Sequence, residues 1–393
     1  MKNKTKLNIL FISAILTYTI GSFILSIVHP KEINDYENRY ANKYNKITLN
    51  SYLKNDTQTN IEETLSDQVF LSQKLKILNN LTHGTIINNF VQKSYKDLPN
   101  EYLSIKNGIY FYGTQNLVYK PYSLNSNKKT LDNKIANYNK LITKYKNVDF
   151  YSYYIEKDTD INFETKEKSQ IYEYIKERIN TKNISKFAIN NFEEYQKYFY
   201  RYDHHWNYKG SDKAYEEILK LLEIDSQKKF GTKKCLHKKI GGSKVDAIGF
   251  RKILAEDFCA YFYDYDKIKI NIAGKEKEYG INYDNINDKI DISYGEFYGY
   301  DYGEIIFDTN NNKADNILII GNSYDNAILK LIAEKFNKTI SIDLRNYEHD
   351  QGKQFDFDSY INKYKINKVL FIGDADFYTG SDFMIKLNSK EQK

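Results

Sequence analysis

Hydrophobic and polar positions divide the chain into stretches with different periods. The first is a single unbroken apolar run from Leu7 to Val28, without a charged residue and preceded by Lys2, Lys4 and Lys6. That run is about as long as a helix needs to cross a bilayer. The lysines favour a cytoplasmic amino terminus. A signal peptide has a shorter apolar core and a small-residue cleavage site, and Ser26-Ile27-Val28 is a poor one. The expectation is an uncleaved transmembrane anchor over residues 1–30, with everything after Pro30 outside the membrane.

Residues 31–106 read as a tether and helical lead-in. Glu32 to Tyr52 is polar and tyrosine-rich, and Ile61 to Leu81 has helical spacing. From residue 107 the periods mix. Asn107–Gly113 and Leu117–Lys120 read as two short strands around a turn. Leu131–Tyr145, Lys166–Ile179 and Ala214–Leu222 read as helices, and Val148–Tyr154 and Phe187–Ile189 as strands. Residues 227–310 are rich in glycine among β-branched and aromatic residues. They read as a strand-rich insertion, either lining an acceptor groove or forming a plain surface hairpin. The last part returns to regular alternation. Ile317–Ile320 is fully apolar, as a buried parallel strand should be. A helix over Ala327–Phe336, a strand over Ile340–Leu344, a helix over Phe357–Tyr364 and a strand over Lys368–Gly373 follow. Strand, helix, strand at this spacing implies an α/β domain over 107–393, with a parallel sheet covered by helices on both faces.

Composition adds little beyond class. The chain has 393 residues, long enough for one large domain or two ordinary ones. Its 58 basic and 52 acidic residues are interspersed, giving a net charge of +6 with no basic block, so nucleic acid is not expected as a partner. Two cysteines, Cys235 and Cys259, are too few for a disulfide scaffold and wrongly spaced for zinc. They could close a loop of about 25 residues in an oxidising compartment; two free buried thiols is the favoured reading.

Chemistry concentrates in Asp203-His204-His205-Trp206, which holds a carboxylate, two imidazoles and the only tryptophan. An aspartate two residues before a histidine can set that ring's orientation and tautomer and stabilise the imidazolium. A histidine held so is a general base in need of a nucleophile. The candidate is Ser323, in a small-residue turn after the apolar strand and at the start of a helix. The carboxyl ends of such strands are where doubly wound sheets bind ligands. The helix amino terminus would offer donors to an oxyanion, with the Ser323 N–H as the obvious one. Taken singly, each residue has an ordinary explanation: Ser323 as a helix N-cap, His204 and Trp206 as packing. A metal reading would use Asp203, His204 and His205, with His349 and Asp350 elsewhere. Adjacent histidines on a strand point to opposite faces, which makes shared ligation awkward, so no metal and no cofactor is expected. Asn322, Tyr324 and Arg345 are candidates for the oxyanion or substrate side, with a structural ion pair as the alternative for Arg345. Asp374 and Asp376 follow the last strand on the same rim.

The Asp203-to-Trp206 run, with Gly210 and a helix behind it, resembles the signature of the bacterial DHHW protein family. That family is similar to the alginate O-acetyltransferase proteins, whose folds are SGNH-hydrolase-like. Glu37-Asn38-Arg39 and Ser66-Asp67-Gln68-Val69-Phe70 resemble segments near that family's start. Gly321-Asn322-Ser323 is similar to the Gly-Asp-Ser block of SGNH enzymes, with Asn322 for the aspartate. The resemblance implies an SGNH-like sheet and a Ser323–His205–Asp203 triad, with His204 and Trp206 as neighbours. It also implies transfer of acetyl groups to hydroxyls of an exported or cell-wall polysaccharide. A membrane-bound O-acyltransferase would supply the acyl group. A secreted carbohydrate esterase with the same triad and a non-catalytic polysaccharide-assembly protein are the competing expectations.

Overall fold

The computed structural model describes residues 2–34, 39–96, 100–113, 116–224, 228–250, 253–265, 267–280 and 292–385. The Glu37-Asn38 pair of the amino-terminal motif lies outside the described residues. The chain divides into two compact units, Met1–Asn89 and Phe90–Lys393.

The first unit opens with helix α1 (Lys2–Val28), of which Thr5–Val28 is long and apolar enough to cross a membrane. A short pair β1 (Ile33–Asn34) and β2 (Arg39–Tyr40) leads to α2 (Leu49–Leu53), α3 (Asp56–Gln68) and α4 (Ser72–Tyr95). The single helix expected over Ile61–Leu81 is therefore two. The break falls at Val69–Leu71, where Val69 is extended and Leu71 takes a φ of 63°. The Asp67 and Gln68 side chains turn back to hold the chain instead. Asn42 N donates to Asp67 Oδ2 at 2.8 Å, Lys31 N to Gln68 Oε1 at 2.6 Å, and Gln68 Nε2 to the Asn42 carbonyl at 2.9 Å. Tethering is what these residues do.

The second unit starts within the last turns of α4, and its first strands form a three-stranded meander, β3 (Leu103–Lys106), β4 (Ile109–Tyr112) and β5 (Asn116–Tyr119). Then come α5 (Leu124–Lys144), β6 (Asp149–Ile155), α6 (Ile171–Arg178), β7 (Ile184–Phe187), α7 (Phe192–Tyr198) and α8 (Tyr208–Leu221). The glycine-rich region contains β8 (Thr232–Ile240), α9 (Ser243–Ile248), β9 (Glu256–Phe262), β10 (Lys269–Ile272), β11 (Lys275–Glu276), α10 (Tyr294–Tyr298) and β12 (Glu304–Asp308). The last part is β13 (Asn316–Ile320), α11 (Leu329–Ala333), β14 (Lys338–Ile342), α12 (Leu344–Gln351), α13 (Phe357–Tyr364), β15 (Lys368–Asp374) and α14 (Ala375–Thr379).

Among the described residues, eight strands form one sheet in the order β11-β10-β12-β14-β13-β15-β6-β7. The pairs from β14 to β7 are parallel; β12 against β14, β10 against β12 and β11 against β10 are antiparallel. The domain is thus mixed α/β rather than purely parallel. Within the strand-rich region over 227–310, β10, β11 and β12 extend the edge of the main sheet. Side chains alternate between two cores. Ile317, Ile319, Leu370 and Ile372 face one side with Ala214, Tyr215 and Ile218 of α8. Leu318, Ile320, Val369 and Phe371 face the other with Leu131, Ile135, Tyr138 and Leu141 of α5. A third cluster joins the meander to α9 through Ile109, Phe111, Leu117, Val245 and Tyr202.

The free-thiol reading of the cysteines is wrong. Strands β8 and β9 pair antiparallel with Cys235 opposite Cys259, and the two form a disulfide. The register brings them together, and Cys235 is exposed rather than buried.

Candidate active site

The carboxyl ends of β6, β7, β13, β14 and β15 meet along one rim of the sheet, and the candidate residues follow them in the chain. After β7 and α7, the segment 199–206 forms a loop closed by an antiparallel bridge between Phe199 and Trp206. Asn207 caps α8 by accepting from Lys209 N and Gly210 N. A Cβ on Gly210 would lie 2.3 Å from the Tyr198 carbonyl oxygen, so only glycine lets the helix start this close to the loop. The loop is clamped from outside: Arg201 N donates to Glu256 Oε1 at 2.6 Å, and Leu117 N donates to the Arg201 carbonyl at 2.9 Å. These bonds hold the backbone just before Asp203.

Within the loop, Asp203 Oδ1 accepts from the His205 backbone N–H at 2.9 Å and lies 2.5 Å from His205 Nδ1. His205 Nε2 lies 2.7 Å from Ser323 Oγ. All three side chains are buried. With Asp203 fixing Nδ1 as the protonated nitrogen, Nε2 is the acceptor facing the hydroxyl. Burial works against the Asp203 carboxylate, and the imidazoles of His205 and then His204 outweigh it, holding the carboxyl well below the usual range. The arrangement can deprotonate Ser323 and carry the resulting positive charge on His205.

Ser323 follows β13 through Gly321 and Asn322. A Cβ on Gly321 would meet Asp325 Oδ2 at 2.3 Å and Ile372 Cγ2 at 2.8 Å. The expected helix over Ala327–Phe336 is shorter here. Ser323 lies in a turn followed by a 3₁₀ turn, Asp325–Ala327, and the five-residue α11. The backbone N–H at Ser323 therefore belongs to a turn and not to the terminus of a long helix. Among the described residues nothing accepts from the Ser323 N–H.

The other candidates occupy defined places. Asn322 is buried, with Nδ2 donating to Asp374 Oδ1 at 3.0 Å. Asp374 also pairs with the buried Lys157 at 2.7 Å, and Lys157 reaches Asp376 at 3.3 Å. The Tyr324 hydroxyl donates to the His204 carbonyl at 2.5 Å. Arg345 is held by Asp343 and by Asp301 at 3.0 Å, an ion pair as the alternative reading has it. Trp206 is fully buried and stands edge-on to Tyr324 at 5.3 Å between ring centres. His204 and His205 do not point apart, as a strand would make them. The segment is a bend, and their rings lie 3.8 Å apart. His204 Nδ1 lies 2.5 Å from Ser243 Oγ. Burial and the neighbouring His205 hold the His204 ring well below its usual pKa. Asp203, His204 and His205 place possible metal-ligand atoms within 4.8 Å of one another. Hydrogen bonds to Asp203, Ser243 and Ser323 engage three of the four ring nitrogens. His349 bonds to Asp350.

Two residues that the sequence did not single out complete the site, both from the glycine-rich insertion. Ser243 N donates to Asp203 Oδ2 at 2.8 Å, so one residue holds both Asp203 and His204. Tyr294 lies flat on the His205 ring, with centres 3.8 Å apart and planes 3° from parallel. Its hydroxyl accepts from Trp206 Nε1 and donates to the Tyr324 carbonyl, both at 3.2 Å.

No protein-family model matches the chain, and comparison with curated proteins finds no relative. Solved structures do match. Bacillus cereus PatB1 with a sulfonyl adduct superposes with a TM-score of 0.56 at 22% identity, covering 72% of this chain and 99% of that one. A second PatB1 structure gives 0.54 at 22% identity, covering 73% of this chain and 100% of that one. A DHHW family protein from Eubacterium siraeum gives 0.56 at 14% identity over 72% of this chain and 95% of that one. The fold is shared with the DHHW family protein, as the resemblance of the Asp203–Trp206 run implies.

Proposed function

We propose that this protein is a membrane-anchored, extracytoplasmic O-acetyltransferase with an SGNH-like domain, acting on hydroxyls of an exported or cell-wall polysaccharide through an acyl-serine. The observation that carries the reading is the continuous chain Asp203 Oδ1–His205 Nδ1 and His205 Nε2–Ser323 Oγ, at 2.5 and 2.7 Å. Ser323 Oγ attacks the acyl carbonyl while His205 Nε2 takes its proton. The Ser323 N–H donates to the oxyanion that forms. Collapse expels the donor's alcohol, which takes the proton back from His205, and leaves an ester on Ser323. A sugar hydroxyl, deprotonated in turn by His205, attacks that ester, and the proton returns to Ser323 Oγ. Asp203 keeps the imidazole in the right tautomer throughout. Asn322, anchored by Asp374, borders the acyl site.

The extracytoplasmic placement is supported by the apolar Thr5–Val28 helix and by the Cys235–Cys259 disulfide, since such bonds persist in oxidising compartments. The polysaccharide and a membrane-bound acyl-donor partner rest on the family resemblance. Sulfonyl electrophiles report activated nucleophiles, and the PatB1 structure carries a sulfonyl adduct.

The test uses the full chain in detergent with an activated acetyl ester, with and without oligosaccharide, followed by peptide mass spectrometry. The expected result is an acetyl group on Ser323 that oligosaccharide discharges. Ser323→Ala should lose turnover by on the order of 1,000-fold. Acetate release indifferent to the sugar makes the protein an esterase. Undiminished turnover in Ser323→Ala removes the catalytic reading altogether.

A further inference from the structure

We propose that the segment Lys46–Lys54 seats in the outer leaflet of a lipid bilayer beside α1, as an interfacial wedge. The inference rests on the reading of Thr5–Val28 as membrane-spanning. Helix α2 wears its polarity inside out. Thr48 caps it, accepting from Ser51 N at 3.1 Å while Thr48 N donates to Ser51 Oγ at 3.0 Å. Ser51 Oγ in turn lies 2.8 Å from Thr57 Oγ1 of α3. The polar face is thus satisfied against its own unit. Leu49, Tyr52 and Leu53 stand at i, i+3 and i+4 on one face. They are 76%, 56% and 72% exposed, and Ile47 just before them is 66% exposed. In water such a face costs free energy; in the headgroup–acyl boundary it is the binding surface.

The unit's own contacts set the depth. Tyr44, two residues before Lys46, has its hydroxyl 3.0 Å from Ser26 Oγ and its ring edge-on to Phe23. Ser26 is two residues from the outer end of α1, about 3 Å by helical rise. The segment that follows Tyr44 therefore starts at the outer end of α1, beside Ser26. Lys46 and Lys54 flank the apolar face and are exposed. They suit the phosphates of anionic headgroups, and a tyrosine between them suits the same level.

The full chain in nanodiscs containing phosphatidylglycerol tests this with tryptophan depth-quenching by brominated lipids. The native Trp206 is fully buried and supplies a constant background. Leu49→Trp and Leu53→Trp are expected to lose at least half their added emission to shallow bromines, and less to deep ones. Leu16→Trp, in the middle of α1, should show the reverse order. Quenching at position 16 without quenching at 49 or 53 overturns the wedge and leaves the span. Quenching at 49 and 53 without quenching at 16 overturns the span and, with it, the seat beside α1. No quenching at any of the three overturns both.

Discussion

At the scale of single residues, the Tyr294 ring on His205 is the contact most open to test. A parallel ring 3.8 Å away covers one face of the imidazole from water and presents its π-cloud to the charge that develops there. Its hydroxyl, between Trp206 and the Tyr324 carbonyl, keeps the ring in place. Tyr294→Phe keeps the stack and is expected to stay within about threefold of the parent turnover. Tyr294→Leu removes the ring and should lower kcat by roughly fivefold with little change in KM, since about 1 kcal/mol of cation–π support acts only when the ring is charged. Equal losses in the two variants would assign the effect to the hydroxyl instead. Asp203, His205 and Ser323 were legible because their spacing and flanks are unusual, and they stand within hydrogen-bond reach of one another. Tyr294 was not legible, because one of 38 tyrosines carries no local signal. Nor was Ser243, whose two bonds exist only once the insertion folds against the central loop.

At the scale of elements, strands and helices with strong periods were readable and the joints between them were not. Strand β13 and helix α13 fall where apolar runs and 3.6-residue spacing put them. Strands β10 and β12 are short and flanked by polar loops, so nothing in their own residues says that they extend the main sheet. The break between α3 and α4 comes from side chains of Asp67 and Gln68 bonding backwards, a tertiary effect that overrides helical spacing. The joint before α9 is the most sensitive. Gly242 has a φ of 110°, and a Cβ there would lie 2.3 Å from Asp203 Oδ2. Gly242→Ala should therefore both strain the backbone and push the carboxylate off its bonds. A stability loss of about 1–3 kcal/mol and a fall in kcat beyond tenfold are expected. Gly274→Ala is the control: its φ is 79°, but no atom lies within 4 Å of the added carbon. It should cost stability and leave kcat unchanged, as chemical denaturation and steady-state assays would show.

At the scale of the whole molecule, the net charge of +6 says little about pH behaviour, because a few buried groups dominate it. Burial pushes Asp160 and Glu256 up to about 7, and pushes Lys134 down to about 7. The Glu256 carboxyl, whose oxygen accepts from Arg201 N and Tyr202 N, is raised from an ordinary value of 4.5. A raised acid favours the folded state fully below its unfolded pKa and loses that advantage as pH climbs through the folded one. For Glu256 the window runs from about 4.5 to about 7. Lys134 has the opposite sign, with stability gained as pH rises from about 7 toward 10.5. Comparing a variant with its parent cancels Lys134 and every group the substitution leaves alone. Glu256→Gln keeps a carbonyl oxygen able to accept both backbone N–H groups but cannot ionise. Its stability relative to the parent should therefore rise by roughly 1–3 kcal/mol between pH 5 and pH 8, read from denaturation midpoints in detergent. A difference that stays flat across that range would mean that Glu256 is ionised in the fold at both ends, and that the clamp before Asp203 is a charged one.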